Sequence, residues 1–323
     1  MNAVTLPGTD LAVSRVCLGT GGLGTALTRD GSFALLDAFA DAGGNFIDTA
    51  HVYGNWVPGD RHQSEKTIGP WLKSTGQRDR FIVATKGGHP ELATPHISRL
   101  SPEEITTDLS ESLDLLGIDT IDLYWLHRDD PARPVGEMLE VLNQHVEAGL
   151  IRSFGCSNWR PERIREAHNY AAMHALRPFV ASQVFWSLAV PNPGAMPADC
   201  PPMDAEAAAL YATSGMSVLA YSSQARGFFT KASTGGVQSL KEGVRRAYEN
   251  AETLARLTRA EELARRLGTS VTAVVLAYIM SQPFVGVPIV GSHTPEQLRD
   301  SLSGADLTLP PDLLHYLTGD VTV

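Results

Sequence analysis

Four residues with side chains suited to proton chemistry stand at or just past the ends of short apolar runs: Asp48, Tyr53, Lys86 and His127. Phe46-Ile47 precedes Asp48, Phe81-Ile82-Val83-Ala84 leads to Lys86, and Ile121 to Leu126 leads to His127. A tyrosine that gives up a proton, a lysine that lowers its pKa, an aspartate that fixes the lysine and a histidine that aims the substrate make a site for reducing a carbonyl. Taken singly, each has a plain reading: an Asp after a strand caps a helix, and a His is a satisfied core residue. Their recurrence at successive strand ends is what points to chemistry.

Groups so far apart in the chain meet only if the apolar runs are neighbouring strands. Strand-length runs at Val16–Gly19, Asn45–Thr49, Phe81–Lys86, Ile121–His127, Arg152–Ser157, Val180–Val184, Ser217–Tyr221 and Val285–Val290 alternate with amphipathic stretches. Those stretches are Ser32–Ala42, Ser64–Lys73, Pro102–Leu116, Val135–Ala148, Pro161–His174, Ala205–Ser214 and Ala251–Leu267. Near-continuous apolar strands are what a parallel sheet covered by helices requires. The count predicts an α/β fold, a (β/α)₈ TIM barrel forming one domain over residues 1–323, with extra C-terminal helices. Ser101-Pro102-Glu103-Glu104 carries a helix cap, a first-turn proline and a capping-box acid, and Gly117 stops that helix. Val4 to Val16, with its Pro7-Gly8 turn, predicts a hairpin closing the bottom of the barrel. Two segments exceed a minimal barrel. Pro191–Pro202 carries five prolines and reads as a long loop or contact surface, and Gly227–Asn250 reads as a mobile lid.

Composition narrows the function classes. Hydrophobic content of 43% and charged content of 19% belong to a soluble globular chain with a sizeable core. A formal charge of −10, with basic residues interleaved among acids, offers no footprint for nucleic acid. No apolar stretch spans a membrane, and no signal peptide is evident, so a cytoplasmic location is expected. The three cysteines, Cys17, Cys156 and Cys200, lack metal or redox spacing and read as reduced thiols, the first two as core residues. His51 and His62 flank Asp60 without metal-ligand spacing and read as exposed loop histidines, so no metal is expected.

Further segments share in a resemblance. Phe46-Ile47-Asp48-Thr49-Ala50-x-x-Tyr53-Gly54, Thr85-Lys86, Leu126-His127 and Gly155-Cys156-Ser157-Asn158 resemble signature segments of the aldo-keto reductases. So do Ser182-Gln183, Tyr221-Ser222 and Ile289-Val290-Gly291-Ser292 through Gln297-Leu298. The matches run in order over almost the full length. The resemblance implies a (β/α)₈ fold, NADPH rather than NADH as hydride donor, and reduction of an aldehyde or ketone. It makes Tyr53 the acid, Lys86 and Asp48 its tuners, and His127 the group that orients the carbonyl.

It also implies a cofactor site. Asp48 borders it, and Ser157, Asn158 and Gln183 would bond the nicotinamide carboxamide. Tyr221 would stack on the nicotinamide face, while Ser222, Gln224 and Arg226 would contact the pyrophosphate. Gly291 and Ser292 lead into a helix N-terminus suited to phosphate, and His293, Gln297, Asp300 and Ser301 fall on the family's 2′-phosphate contacts. Many relatives place Arg or Lys near 297 and Asn at 301, which bears on the choice between NADPH and NADH. Gly19-Thr20-Gly21-Gly22-Leu23-Gly24 literally satisfies the Rossmann G-x-G-x-x-G. However, Thr25 to Gly31 separates it from the next helical period, so Gly21 and Gly22 read as small residues that let the nicotinamide ribose approach.

The substrate is expected to be a small carbonyl compound. Trp56, His89, Arg128, Trp159 and Trp186 are candidate pocket walls, with Arg128 and His89 pointing to a polar or anionic substrate such as a sugar or sugar acid. The alternative class is an NADPH-binding sensor resembling potassium-channel β subunits, because a sensor can keep the same four residues. Oligomeric state stays open.

Overall fold

A computed structural model of the chain describes residues 1–320. It opens on strands β1 (Ala3–Thr5) and β2 (Ala12–Ser14), paired antiparallel. Their turn has Pro7 followed by Gly8 at φ +73°, and Thr9 N–H donates to the Leu6 carbonyl at 3.1 Å. This is the proline-glycine pairing that a type II turn requires.

Eight parallel strands then close into a barrel. In chain order come β3 (Cys17–Gly19), α1 (Arg29–Asp41), β4 (Phe46–Asp48), α2 (Gln63–Thr75), β5 (Ile82–Gly87) and α3 (Pro102–Leu116). Next are β6 (Ile121–Leu126), α4 (Val135–Glu147), β7 (Ile151–Ser157), α5 (Pro161–Met173), β8 (Ala181–Phe185) and α6 (Ala205–Ser214). After β9 (Ser217–Tyr221) come four helices: α7 (Phe228–Gly235), α8 (Glu242–Tyr248), α9 (Ala251–Leu267) and α10 (Val271–Met280). The barrel ends with β10 (Gly286–Val290), and α11 (Pro295–Leu302) and α12 (Pro311–Thr318) follow. Each barrel strand pairs with the next, and β10 returns to β3, so the barrel itself has no open edge.

The pleat sorts residues into two cores. Phe46, Ile82, Leu123, Trp125, Leu219 and Val287 share the barrel interior with Leu6, Leu11 and Val13 of the hairpin, which plugs the end where the strands begin. The alternate strand residues, among them Ile47, Val83, Tyr124, Leu126 and Val218, pack against the helices. Cys17 lies in the inner core and Cys156 in the outer one. No single helix among the described residues is long and apolar enough to cross a membrane.

Three expectations change. Helix α1 starts at Arg29, ahead of the expected Ser32, because the Thr28 side chain caps it by accepting from Gly31 N–H. Helix α10 escapes periodicity because it is apolar all round; eight of its ten residues, Thr272 to Ala277 with Ile279 and Met280, are buried. The segment expected as a mobile lid holds α7 and α8 instead, anchored by Phe228, Phe229, Ala232, Ala247 and Tyr248 in the core.

Candidate active site

Asp48 is the last residue of β4, Lys86 belongs to the end of β5, and His127 follows β6 directly. All three therefore reach one rim of the barrel. Asp48 and Lys86 are almost fully buried, and Lys86 Nζ lies 2.6 Å from Asp48 Oδ2. The same ammonium donates to the Thr49 carbonyl at 2.6 Å and to Tyr53 Oη at 3.3 Å. Gln183 Nε2 donates to the other Asp48 oxygen at 2.9 Å. A buried ion pair satisfied in this way is held rigidly, since loss of either partner strands a charge.

Tyr53 is delivered by the turn after β4. Gly54 makes that turn possible: its φ is +96°, and a Cβ there would lie 2.6 Å from Gln63 Cβ and 2.9 Å from its backbone nitrogen. Tyr53 faces His127 edge-on, ring centroids 6.0 Å apart, and His89 packs edge-on against His127 at 4.7 Å.

Electrostatics assign protonation states. Burial disfavours the Lys86 ammonium, but Asp48 and Tyr53 overcome this and hold its pKa above the ordinary lysine value. Burial pushes the Asp48 carboxyl up, against the pull of Lys86 and Gln183. His127 is driven well below the usual imidazole value by burial, then by His89, Arg128 and Lys86, so it is neutral at neutral pH. The expectation for Tyr53 is corrected. Lys86 does pull its pKa down, but burial outweighs that pull and the phenol sits above its ordinary value.

A cleft of about 570 Å³ opens beside Asp48 and Tyr53, within the size range of cofactor sites. Gly21, Gly22, Tyr221, Ser222, Gln224, Arg226, Gly291, Ser292, His293, Gln297, Asp300 and Ser301 line it, as do Thr230 and Lys231. The cleft thus takes residues just after β3 and residues just after β10. Ser157, Asn158 and Gln183 do not line it; they are buried and knitted together. Tyr221 Oη donates to Asn158 Oδ1 at 2.6 Å, Asn158 Nδ2 donates to Ser157 Oγ at 3.0 Å, and Ser157 Oγ donates to the Gln183 carbonyl at 3.1 Å. At the far rim Gln297 accepts from His293 N–H, Gln224 donates to Ser301 and Thr272 donates to Asp300.

The donor set fits a dinucleotide. Gly21 and Gly22 leave the cleft wall beside Tyr53 and His293 free of side chains, which leaves room for a ribose there. Arg226 and Lys231 have no carboxylate partner among the described residues and can meet phosphate charge. Lys231 was not singled out from the sequence, because it lies inside the segment read as a lid.

The expected pocket walls divide. Trp56 is half exposed and meets Tyr53 edge-on at 5.9 Å, and His89 and Arg128 stand beside His127. Trp159 and Trp186 are core residues instead. Trp159 packs on Phe179 and donates its indole N–H to the Arg128 carbonyl at 3.0 Å, while Trp186 packs between Tyr278 and Phe284. His51 is likewise buried, hydrogen-bonded to Glu111 at 2.8 Å and stacked 3.9 Å from His62. With Glu65 these two bring possible ligand atoms within 4.8 Å of one another. Stacked rings run their lone pairs side by side, however, whereas a zinc needs them to converge.

A closed parallel barrel with a buried Lys–Asp pair and a tyrosine at the rim of a cofactor-sized cleft is consistent with a barrel oxidoreductase. The chain belongs to the Aldo/keto reductase family, whose profile matches residues 15–319. It is an NAD(P)H-dependent oxidoreductase of a family that reduces carbonyls. Among its relatives is a norsolorinic acid reductase of Emericella nidulans, 28% identical over 97% of this chain and 80% of that protein. The aryl-alcohol dehydrogenase [NADP(+)] of Phanerodontia chrysosporium is 30% identical over 98% and 84%. An uncharacterized oxidoreductase of Bacillus subtilis is 30% identical over 96% and 92%.

Proposed function

We propose that this protein reduces an aldehyde or ketone to the alcohol with NADPH, with Tyr53 giving the proton. The observation that carries the reading is the unbroken contact series from Asp48 through Lys86 to the Tyr53 hydroxyl. A nicotinamide dinucleotide held in the cleft would supply the hydride. As negative charge grows on the carbonyl oxygen, Tyr53 hands its proton to that oxygen. The phenolate left behind is stabilised by the Lys86 ammonium, which Asp48 keeps charged and aimed. A tyrosine with a raised pKa is fully protonated at neutral pH, the state an acid must start from. Neutral His127 can donate a hydrogen bond to the same oxygen and so fix the carbonyl.

The cations Arg226 and Lys231 in the cleft suit the phosphates of either nicotinamide dinucleotide, and the NADP(+) named for the Phanerodontia relative favours NADPH. Trp56 beside Tyr53 and the aryl-alcohol name of the Phanerodontia relative favour an aromatic carbonyl. The test is NADPH oxidation with benzaldehyde by wild type and Tyr53→Phe, alongside NADPH and NADH affinities from fluorescence titration. Expected are turnover in the wild type, a loss of about 10²–10⁴-fold in the variant, and unchanged NADPH affinity. Tight NADPH binding with no turnover of any carbonyl would replace the reductase by a sensor.

A further inference from the structure

Arg128 is placed oddly for a structural arginine. It directly follows His127, its side chain is only 19% exposed, and its Nη1 donates to the His127 carbonyl at 3.0 Å. Its charge reaches Tyr53, His89, His127 and Tyr221, all at the catalytic rim. Its only ion-pair partner among the described residues is Asp199, 3.1 Å away on the proline-rich loop Pro191–Pro202 and 59% exposed. A mostly buried guanidinium whose carboxylate arrives from an exposed loop is poorly sealed. With Asp199 exposed, water screens and weakens the pair, so another carboxylate can take the place of Asp199 at little cost. The guanidinium fork suits a planar carboxylate from a bound molecule equally well.

We propose that Arg128 selects carbonyl substrates carrying a carboxylate, and that Asp199 is the stand-in such a substrate displaces. This inference rests on the reductase reading and names its substrate class. Bound beside Trp56 and Tyr53, an aryl aldehyde with a ring carboxylate would reach Tyr53 with its carbonyl and Arg128 with its anion.

The experiment compares kcat/KM for 3- and 4-carboxybenzaldehyde with that for benzaldehyde, using NADPH, in wild type, Arg128→Ala, Arg128→Lys and Asp199→Asn. Benzaldehyde in each variant absorbs whatever the substitution does to folding or to His127, so the ratio isolates recognition of the anion. Wild type should favour at least one carboxylated aldehyde by about ten- to hundredfold. Arg128→Ala should bring that ratio close to one, Arg128→Lys should keep part of it, and Asp199→Asn should raise it by removing the internal competitor. A wild type without preference, or a preference that survives Arg128→Ala, overturns the proposal while leaving the reductase reading standing. If no aldehyde is turned over, the reductase reading fails. Calorimetric titration of the carboxybenzaldehydes then decides: binding weakened tenfold or more by Arg128→Ala supports the anion site, and equal binding rejects it.

Discussion

Tyr53 stands where two influences oppose each other: burial favours its phenol and Lys86 its phenolate, with burial the stronger. Lys86 therefore matters most once the proton has left. Replacing it by Met strands Asp48 in the interior, and a loss of about 3–5 kcal/mol in urea unfolding at pH 7.5 is expected. Behind this pair sits Glu65, fully buried, with Oε1 accepting from Thr85 at 2.5 Å and Oε2 without a hydrogen-bond partner. Burial raises its pKa to about 7. The folded state thus holds a proton that the unfolded chain releases at ordinary carboxyl pH. Stability contributed at this position is greatest at low pH, falls as pH climbs from the ordinary carboxyl range to about 7, and levels above that. Glu65→Gln should remove this slope. Relative to wild type, the variant should gain on the order of 2–3 kcal/mol between pH 5 and pH 8, measured by denaturant unfolding at both values; parallel pH curves would refute it. Asp48, Lys86 and His127 were legible in sequence because each ends an apolar run, and Tyr53 because it lies five residues beyond Asp48. Glu65 was not, since Ser64-Glu65 reads as an ordinary first helical turn. Trp159 and Trp186 misled for a related reason: an aromatic just past a strand can face either a pocket or the surrounding helices.

Elements were legible wherever period and punctuation agreed. The boundaries of α3, α6, α9 and β9 match their sequence readings, and α3 has its full capping box, Ser101 and Glu104 bonding reciprocally. The segment after β9 failed because its Gly, Ser and Thr content hides a short apolar face at Phe228, Phe229 and Ala232. That face gives a prediction: amides of α7 should exchange slowly with deuterium, in the range of the barrel helices, and Phe228→Ala should cost about 3–5 kcal/mol. Exchange at loop rates in the wild type would restore the lid reading.

Across the molecule, stability and chemistry occupy opposite ends of the barrel. The hairpin residues Leu6, Leu11 and Val13 fill one end, while Tyr53, Lys86 and His127 ring the other. Leu11→Ala should therefore lower stability by about 2–5 kcal/mol and leave KM for benzaldehyde unchanged; a changed KM would show that the two ends are linked. The barrel's seam has a consequence for how the protein is made. Strand β3 meets β10 through only two residue pairs, Cys17 with Ile289 and Leu18 with Val290. The cleft is built from both sides of that junction, Gly21 and Gly22 on one and Gly291 to Ser301 on the other. The cleft therefore cannot be complete on a nascent chain until residues beyond 290 have left the ribosome and found β3. Contacts this distant form late and slowly. A nucleotide bound across the junction would act as a clasp, stabilising the closed ring by about 2.7 kcal/mol at a hundred times its dissociation constant. Cofactor supply in the cell would then set the fraction of newly made chains that stay shut.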